Sequence, residues 1–313
     1  MPIIIPNRLP AHDALRGEEI FLMAEHRAIH QDIRPLRILL LNLMPDKIAT
    51  ETQIIRLLSN SPLQMELFLL RLDTYTPKNT SSEHMSSFYS TFEAVKHQRF
   101  DGMIITGAPV EHLPFEEVGY WRELEDILDW KLENVTSCLH ICWGAQAALY
   151  RHHGIPKYEL EKKTFGVFPH TITKPHTRLL RGFDEPFCVP VSRHTETRAS
   201  DVSRTGVLDI LAESEKAGLL IVVSRDDRQI YVTGHFEYDP LTLKAEYERD
   251  LGKGLAIEIP ENYFPNNNPR GTPPIRWRSH AHLLYSNWVN YYVYQETPFD
   301  LHELNHISGR WEP

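Results

Sequence analysis

Apolar runs that alternate with amphipathic stretches constrain the fold of this 313-residue chain more than any other sequence feature. Arg37 to Leu43 reads RILLLNL, a near-continuous apolar run typical of a parallel strand that is buried on both faces. Lys47 to Ser59 then repeats its apolar residues with a helical period. The alternation continues over the first 155 residues, through strands at DGMIITG and VTSCLHIC. It predicts an α/β fold with a doubly wound, mostly parallel sheet and right-handed crossovers.

The pattern changes after residue 155. Further β elements, several of them joined as hairpins, are predicted near 164–173, 186–195, 207–212, 218–224 and 229–234. Asp239 followed by Pro240 predicts the start of a helix, and AHLLYSNWVNYYVYQ predicts a closing helix. We therefore expect a β-rich insertion and a helical C-terminal extension. The expected organisation is an N-terminal arm at 1–34, a single α/β domain at 35–300 and a tail at 301–313.

Composition narrows the class of function. The net charge of -9 disfavours a nucleic-acid partner, which usually needs a basic face. Three cysteines do not make a disulfide framework and favour a reducing compartment. No secretory signal and no window long and apolar enough for a membrane span is evident. The sequence predicts a cytoplasmic protein with no membrane partner.

Cys142 lies between an apolar strand and a helix, in LHICWGAQAA. A sharp turn there exposes the side chain at the carboxyl end of the sheet, where ligands of open α/β folds bind. The helix N-terminus favours the thiolate, and the backbone N–H of Trp143 would face an oxyanion. Two alternatives are a small buried core cysteine, and a metal site shared with Cys138, for which C-x3-C without a second pair is a weak signal.

A base candidate follows another strand end, in IYVTGHFEYDP. His235 comes just after the apolar residues, and Glu237 shares its face if the segment is extended. The carboxylate would then fix the imidazole tautomer. The chain has 17 histidines, so a structural role is the alternative for any one of them. A third strand end, DGMIITGAP, offers the backbone N–H of Gly107 as a second oxyanion donor.

The Cys142 turn and the His235–Glu237 pair resemble the class I glutamine amidotransferase-like fold, a flavodoxin-like architecture. Such domains carry a G-x-C-x-G-x-Q elbow and a His-Pro-Glu pair. This chain has H-I-C-W-G-A-Q and His-Phe-Glu instead. Both departures argue against an ordinary amidotransferase.

A fuller resemblance, over essentially the whole chain, is to the homoserine O-acyltransferases of the MetA type. It covers RPLRILLLNLMPDKIATETQIIRLLSNSPLQ, FDGMIITGAPVE, the Cys142 elbow, TGHFEYD and WRSHAHLLYSNWVNYYVYQETPFDL. It implies an acyltransferase that acts early in methionine biosynthesis. L-homoserine and an acyl-CoA would be its substrates, with no cofactor and a homodimeric assembly.

The resemblance also implies roles for individual residues. Cys142 would carry the acyl group, with His235 as base and Glu237 as its partner. Lys163, Ser192 and Arg249 would contact the substrate, and Arg249 has the fork geometry that a carboxylate needs.

Glu111, together with Ser192, is implied to set the acyl donor. In this family an acidic residue at position 111 accompanies acetyl-CoA, and glycine accompanies succinyl-CoA. A succinyl carboxylate would also be repelled by Glu111 in a poorly solvated pocket. The sequence therefore predicts a homoserine O-acetyltransferase. The alternatives are a succinyltransferase and a glutamine amidotransferase-like hydrolase.

Overall fold

A large mixed sheet forms the centre of the protein in the computed structural model, which describes residues 3–5, 9–16, 22–24, 34–77, 79–298 and 300–302. The strands, in chain order, are β1 (Ile3–Ile5), β2 (Leu22–Ala24), β3 (Leu36–Leu41), β4 (Met65–Leu70), β5 (Tyr89–Ser90), β6 (Phe100–Ile105), β7 (Val135–Ile141), β8 (Tyr158–Ile172), β9 (Phe187–Glu196), β10 (Leu208–Ser214), β11 (Gly218–Ser224) and β12 (Gln229–Val232). The α-helices are α1 (Pro10–Arg16), α2 (Lys47–Leu58), α3 (Ser82–Phe88), α4 (Phe92–Val95), α5 (Trp121–Asn134), α6 (Trp143–His153), α7 (Ala199–Arg204), α8 (Thr242–Gly252) and α9 (Arg278–Asn287).

The sheet has a parallel part and an antiparallel part. Its order is β2-β1-β4-β3-β6-β7-β12-β11-β10-β8-β9, with β5 beside β4. Pairing is parallel from β2 to β12 and antiparallel from β12 to β9. The mostly parallel α/β sheet with a β-rich second half is therefore confirmed. β1 and β2, from the segment expected to be an arm, extend the same sheet.

Apolar cores cover both faces of the parallel strands. In β3, Ile38 and Leu40 pack with Ile54 of α2, while Leu39 packs on the opposite face with Leu124 of α5. All five side chains are fully buried. Because neither face of such a strand contacts water, apolar residues are favoured at every position, which explains the continuous apolar run of the sequence.

The C-terminal helical extension docks on the parallel strands. After α9 the chain continues as a π-helix over Trp288–Tyr294. The fully buried Trp288 indole donates a hydrogen bond to the Ser137 hydroxyl of β7 (3.0 Å). Among the described residues, no helix is both long and apolar enough to cross a membrane.

The predicted helix start, with Asp239 as N-cap and Pro240 as the first helical residue, is wrong by two residues. Helix α8 begins at Thr242, whose N–H donates to the Asp239 carbonyl (3.1 Å). The Asp239 carboxylate pairs with Arg56 of α2 instead (2.6 Å). A tertiary ion pair has therefore replaced the local cap that the sequence pattern suggested.

Candidate active site

Three neighbouring strands of the parallel sheet end at one place. Strands β6, β7 and β12 lie side by side, with Ile105 opposite His140 and Ile141 opposite Val232. The residues that follow them are Gly107, Cys142 and His235. Because carboxyl ends of parallel strands share one edge, these candidates are brought together as the sequence predicted.

Cys142 sits at a strained turn. Its φ of 51° and ψ of -118° are unusual for a residue with a side chain. Such a conformation costs about 1–3 kcal/mol and persists only where the surroundings hold it. Here the Cys142 N–H donates to the Val232 carbonyl (2.7 Å), and its carbonyl accepts from the first turn of α6. The turn leaves Cys142 partly exposed at the N-terminus of α6.

Two glycines let the backbone approach this turn. A Cβ added to Gly144 would lie 2.5 Å from the Thr106 carbonyl oxygen, which is closer than atoms can pack. A Cβ added to Gly107 would lie 3.2 Å from Cys142 Cβ and 3.8 Å from its Sγ. Gly107 is therefore a direct neighbour of the sulfur, and Gly144 allows α6 to begin against the end of β6.

His235 is linked to both other members of the predicted triad. Its Nδ1 lies 2.7 Å from Glu237 Oε1, and a second hydrogen bond joins the imidazole to Cys142. The His235 N–H donates to the Pro190 carbonyl (2.9 Å), and Tyr238 stacks on the ring with centroids 4.0 Å apart. Three contacts therefore hold the imidazole ring, the backbone bond anchors the residue itself, and the side chain is almost inaccessible to water.

The charges around His235 favour its protonated form. Burial lowers the pKa of the imidazole, whereas the negative charges of Cys142 and Glu237, and hydrogen bonds to both, raise it. The net result is a pKa well above 6.5. A protonated imidazole beside a cysteine sulfur can stabilise negative charge on that sulfur and can later donate a proton to a leaving group.

Two backbone N–H groups near the sulfur are free. Within the described part of the chain, the N–H groups of Trp143 and Gly107 donate to no protein acceptor. Trp143 is the first residue of α6, so the helix dipole adds positive potential there. These groups can stabilise an oxyanion formed beside Cys142.

A polar cluster stands next to the triad. The Glu246 carboxylate accepts from the Tyr238 hydroxyl (2.8 Å) and from the Ser192 hydroxyl (2.5 Å). Lys163 Nζ lies 3.5 Å from Glu246 and 3.6 Å from Asp250. Because Tyr238 also stacks on His235, the cluster is tied directly to the triad.

Arg249 lies at the edge of this cluster. Its Nε donates to Asp250 (2.7 Å), and its side chain is about half exposed at 53%. The hydrogen bond that the guanidinium donates to the Asp250 carboxylate raises the pKa of Arg249, so Arg249 stays positively charged. Arg249 and Glu246 are three residues apart on α8 and therefore share a face of that helix.

Glu111 follows the β6 turn and contacts the β9 strand. Its carboxylate accepts from the His194 N–H (3.0 Å), and its carbonyl accepts from Lys157. The Glu111 side chain thus lies two residues along β9 from Ser192. Both residues that the sequence analysis assigned to acyl specificity therefore lie along one side of the site.

Metal-ligating side chains also meet here. Glu111, His112 and His194 each place one ligand atom within 4.8 Å of the others, so the three could hold a metal ion. Burial lowers the pKa of His194, which favours the neutral imidazole that metals bind.

Glu246 and Tyr238 were missed by sequence reasoning. Glu246 lies in AEYERD, which reads as the polar face of a surface helix. The available signal was its spacing of three residues from Arg249. The contacts with Ser192 and Lys163 come from strands distant in sequence and cannot be read from a local pattern.

Solved structures show the same fold at low sequence identity. A glutamine amidotransferase from Thermotoga maritima matches with a TM-score of 0.54 and 15% identity, over 82% of this chain and 98% of that one. A glutamine amido transferase from Methylobacillus flagellatus matches with a TM-score of 0.51 and 11% identity, over 82% and 95% of the two chains. At these identities the likeness establishes the fold alone, and confirms the class I glutamine amidotransferase-like architecture.

Sequence relatives are much closer. A homoserine O-acetyltransferase of Acetivibrio thermocellus is 61% identical over 97% of this chain and 100% of its own length. One from Brevibacillus brevis is 60% identical, over 96% and 98% of the two chains. The family model described as homoserine O-succinyltransferase matches residues 2–299. This chain therefore belongs to the homoserine O-succinyltransferase family.

Proposed function

We propose that this protein is a homoserine O-acetyltransferase, which moves acetyl from acetyl-CoA to the hydroxyl of L-homoserine in the first step of methionine biosynthesis. The observation that carries the proposal is about 60% identity, over nearly the whole chain, to relatives of that name. The family description names succinyl instead. The names of the close relatives and the presence of Glu111 both support acetyl as the acyl group.

Cys142 would carry the acetyl group. Its thiolate attacks the thioester carbonyl of acetyl-CoA, and the oxyanion that forms is held by the N–H groups of Trp143 and Gly107. When this intermediate collapses, the bond to the CoA sulfur breaks, and CoA leaves with the proton of His235. Exchange of one thioester for another is close to balanced in energy, so no ATP is required.

His235 acts as base in the second half. The neutral imidazole takes the hydroxyl proton of homoserine as the oxygen attacks the acetyl-cysteine. Collapse of the new intermediate releases O-acetylhomoserine and restores the Cys142 thiolate beside the His235 imidazolium. Glu237 holds the ring orientation through both steps. The deep burial of His235 and Glu237 limits the access of water to the base.

Homoserine carries a carboxylate and an ammonium group, so its binding site needs one cation and one anion. Arg249 would bind the carboxylate with its two terminal guanidinium nitrogens, since among the described residues its hydrogen bond to Asp250 uses Nε alone. Glu246 would accept the ammonium, with Ser192 and Lys163 holding that carboxylate in place. Arg249 and Glu246, the two residues that would bind homoserine, share a face of α8. The hydroxyl of a homoserine bound to both would point to His235.

Glu111 supports acetyl as the acyl group. A succinyl carboxylate held about 4 Å from Glu111 would be repelled by about 4 kcal/mol at an effective dielectric constant near 20. Acetyl carries no such charge. We further propose that the enzyme needs no cofactor, acts as a homodimer and works in the cytoplasm.

Steady-state kinetics with two donors tests this function. We expect kcat/KM with acetyl-CoA to exceed that with succinyl-CoA by at least tenfold, which corresponds to about 1.4 kcal/mol. A tenfold preference for succinyl-CoA would make the chain a succinyltransferase. Release of ammonia from glutamine, without acyl transfer, would instead favour a hydrolase of the amidotransferase type.

A further inference from the structure

An open cleft of about 860 Å³ lies beside the candidate active site. Strand β8 forms one side of it, with Lys162, Phe165 and Phe168. The chain segment 255–259 forms the other side. Pockets for drug-sized ligands measure roughly 300–1,000 Å³, so this cleft is far larger than an amino acid such as homoserine requires.

The inner end of the cleft joins the active site. Lys163, His194 and Asp250 line the cleft and also contact the residues described above. Lys163 approaches Glu246, and the His194 N–H donates to Glu111. A ligand that fills the cleft therefore ends beside both Glu246, on the proposed homoserine side, and Glu111, on the proposed acyl side.

The 255–259 segment is suited to an extended ligand with amide groups. It is anchored at both ends, by the Leu255 N–H on the Asp250 carbonyl (3.1 Å) and by the Glu261 N–H on the Phe165 carbonyl (2.9 Å). Between these anchors, the backbone of 256–260 makes no hydrogen bond to any part of the protein that the structure describes. Leu255 and Ile259 expose 55% and 38% of their surface. Backbone amide groups beside exposed apolar side chains can bind a ligand that carries both amide and apolar groups.

Lysines stand at the rim of the cleft. Lys162 pairs with Glu258 (2.7 Å), and Lys216 pairs with Glu261. Both lysines are about two-thirds exposed, and exposed ion pairs contribute only about 0–1 kcal/mol. A phosphate can therefore bind these lysines in place of Glu258 and Glu261. The negative charges of the two glutamates keep the net attraction for an anion modest. Affinity should then come mainly from the apolar wall and the amide groups.

We propose that this cleft binds the pantetheine arm of the acyl-CoA, with Leu255 and Ile259 as its apolar wall and the phosphates near Lys162 and Lys216. This inference rests on the proposed acyl-CoA-dependent function. The pantetheine arm is a narrow chain with two secondary amides and a branched apolar end, and its thioester must reach Cys142. The cleft supplies unpaired backbone groups, apolar contacts and an opening onto the acyl side of the site.

The test compares two acetyl donors in variants of the cleft wall. Leu255→Asp and Ile259→Asp should each lower kcat/KM for acetyl-CoA at least tenfold. The same variants should change kcat/KM for S-acetyl-N-acetylcysteamine, which lacks most of the arm and the nucleotide, by less than twofold. KM for homoserine should stay unchanged. Val207→Asp is the matched control, because Val207 is 48% exposed and lies outside the cleft.

Several outcomes would overturn the proposal. Equal losses with both donors would mean that the variants damage the catalytic centre rather than the arm site. An unchanged kcat/KM for acetyl-CoA, with a change of molar mass in light scattering, would assign the segment to a protein interface. If the wild type transferred acetyl from neither donor, the proposed function would fail. Calorimetric binding of CoA would still test the cleft, and equal affinity of wild type and Leu255→Asp would refute it.

Discussion

Replacing Glu237 by glutamine should weaken catalysis through His235. The Glu237 carboxylate lies 2.7 Å from His235 Nδ1 and is only 8% exposed, so water cannot replace it easily. A hydrogen bond with a charged partner contributes about 1.5–3 kcal/mol. At about 1.4 kcal/mol for each factor of ten, kcat should fall roughly 10- to 150-fold. The predicted fall in kcat is a lower bound, because the glutamine side chain of Glu237→Gln can also hold the imidazole in the unproductive tautomer.

The pH dependence gives this prediction a second readout. Glu237 is one of the groups that raise the pKa of His235, so its loss lowers that pKa. The limb of the kcat/KM profile that reports loss of the His235 proton should then move to lower pH. Glu93→Gln is the control, since Glu93 forms an exposed pair with Lys96 that contributes little. A loss below twofold for Glu237→Gln, with an unshifted limb, would refute the role assigned to this carboxylate.

Three further substitutions probe separate parts of the site. Gly144→Ala places a Cβ 2.5 Å from the Thr106 carbonyl and should lower the free energy of unfolding, measured by denaturant titration, by about 1–3 kcal/mol. The control Gly119→Ala has open space around the added Cβ and should change the free energy of unfolding by less than about 0.5 kcal/mol. Arg249→Lys should raise KM for homoserine by about tenfold or more and leave KM for acetyl-CoA unchanged, because lysine cannot bind a carboxylate in the forked geometry. The same KM for homoserine in variant and wild type would show that Arg249 does not bind the carboxylate. Glu111→Gly should raise the ratio of kcat/KM for succinyl-CoA over acetyl-CoA at least tenfold, and an unchanged ratio would show that Glu111 does not select the donor.

The parallel half of the fold could be predicted because its strands are buried on both faces. A run such as Ile38 to Leu41 leaves no alternative face for solvent, so both its position and its strand character follow from the sequence. The order of the antiparallel strands could not be predicted. β8 pairs with both β10 and β9, and nothing in the local pattern distinguishes these neighbours from others.

Strand ends also made the proximity of the candidate nucleophile and base predictable. Cys142 and His235 each follow an apolar strand, and parallel strands deliver such residues to one edge. Glu246 could not be found in this way, because its partners Ser192 and Lys163 come from the β-rich insertion. The cap expected at Asp239 failed for a related reason, since Arg56 on a distant helix takes its carboxylate.

Mass spectrometry of the protein incubated with acetyl-CoA alone tests the central claim most directly. We predict one acetyl group on the peptide that contains Cys142, its absence in Cys142→Ala, and its loss when homoserine is added, with formation of O-acetylhomoserine. Turnover without an acetylated Cys142, or an acetyl group on another residue that homoserine removes, would contradict the account.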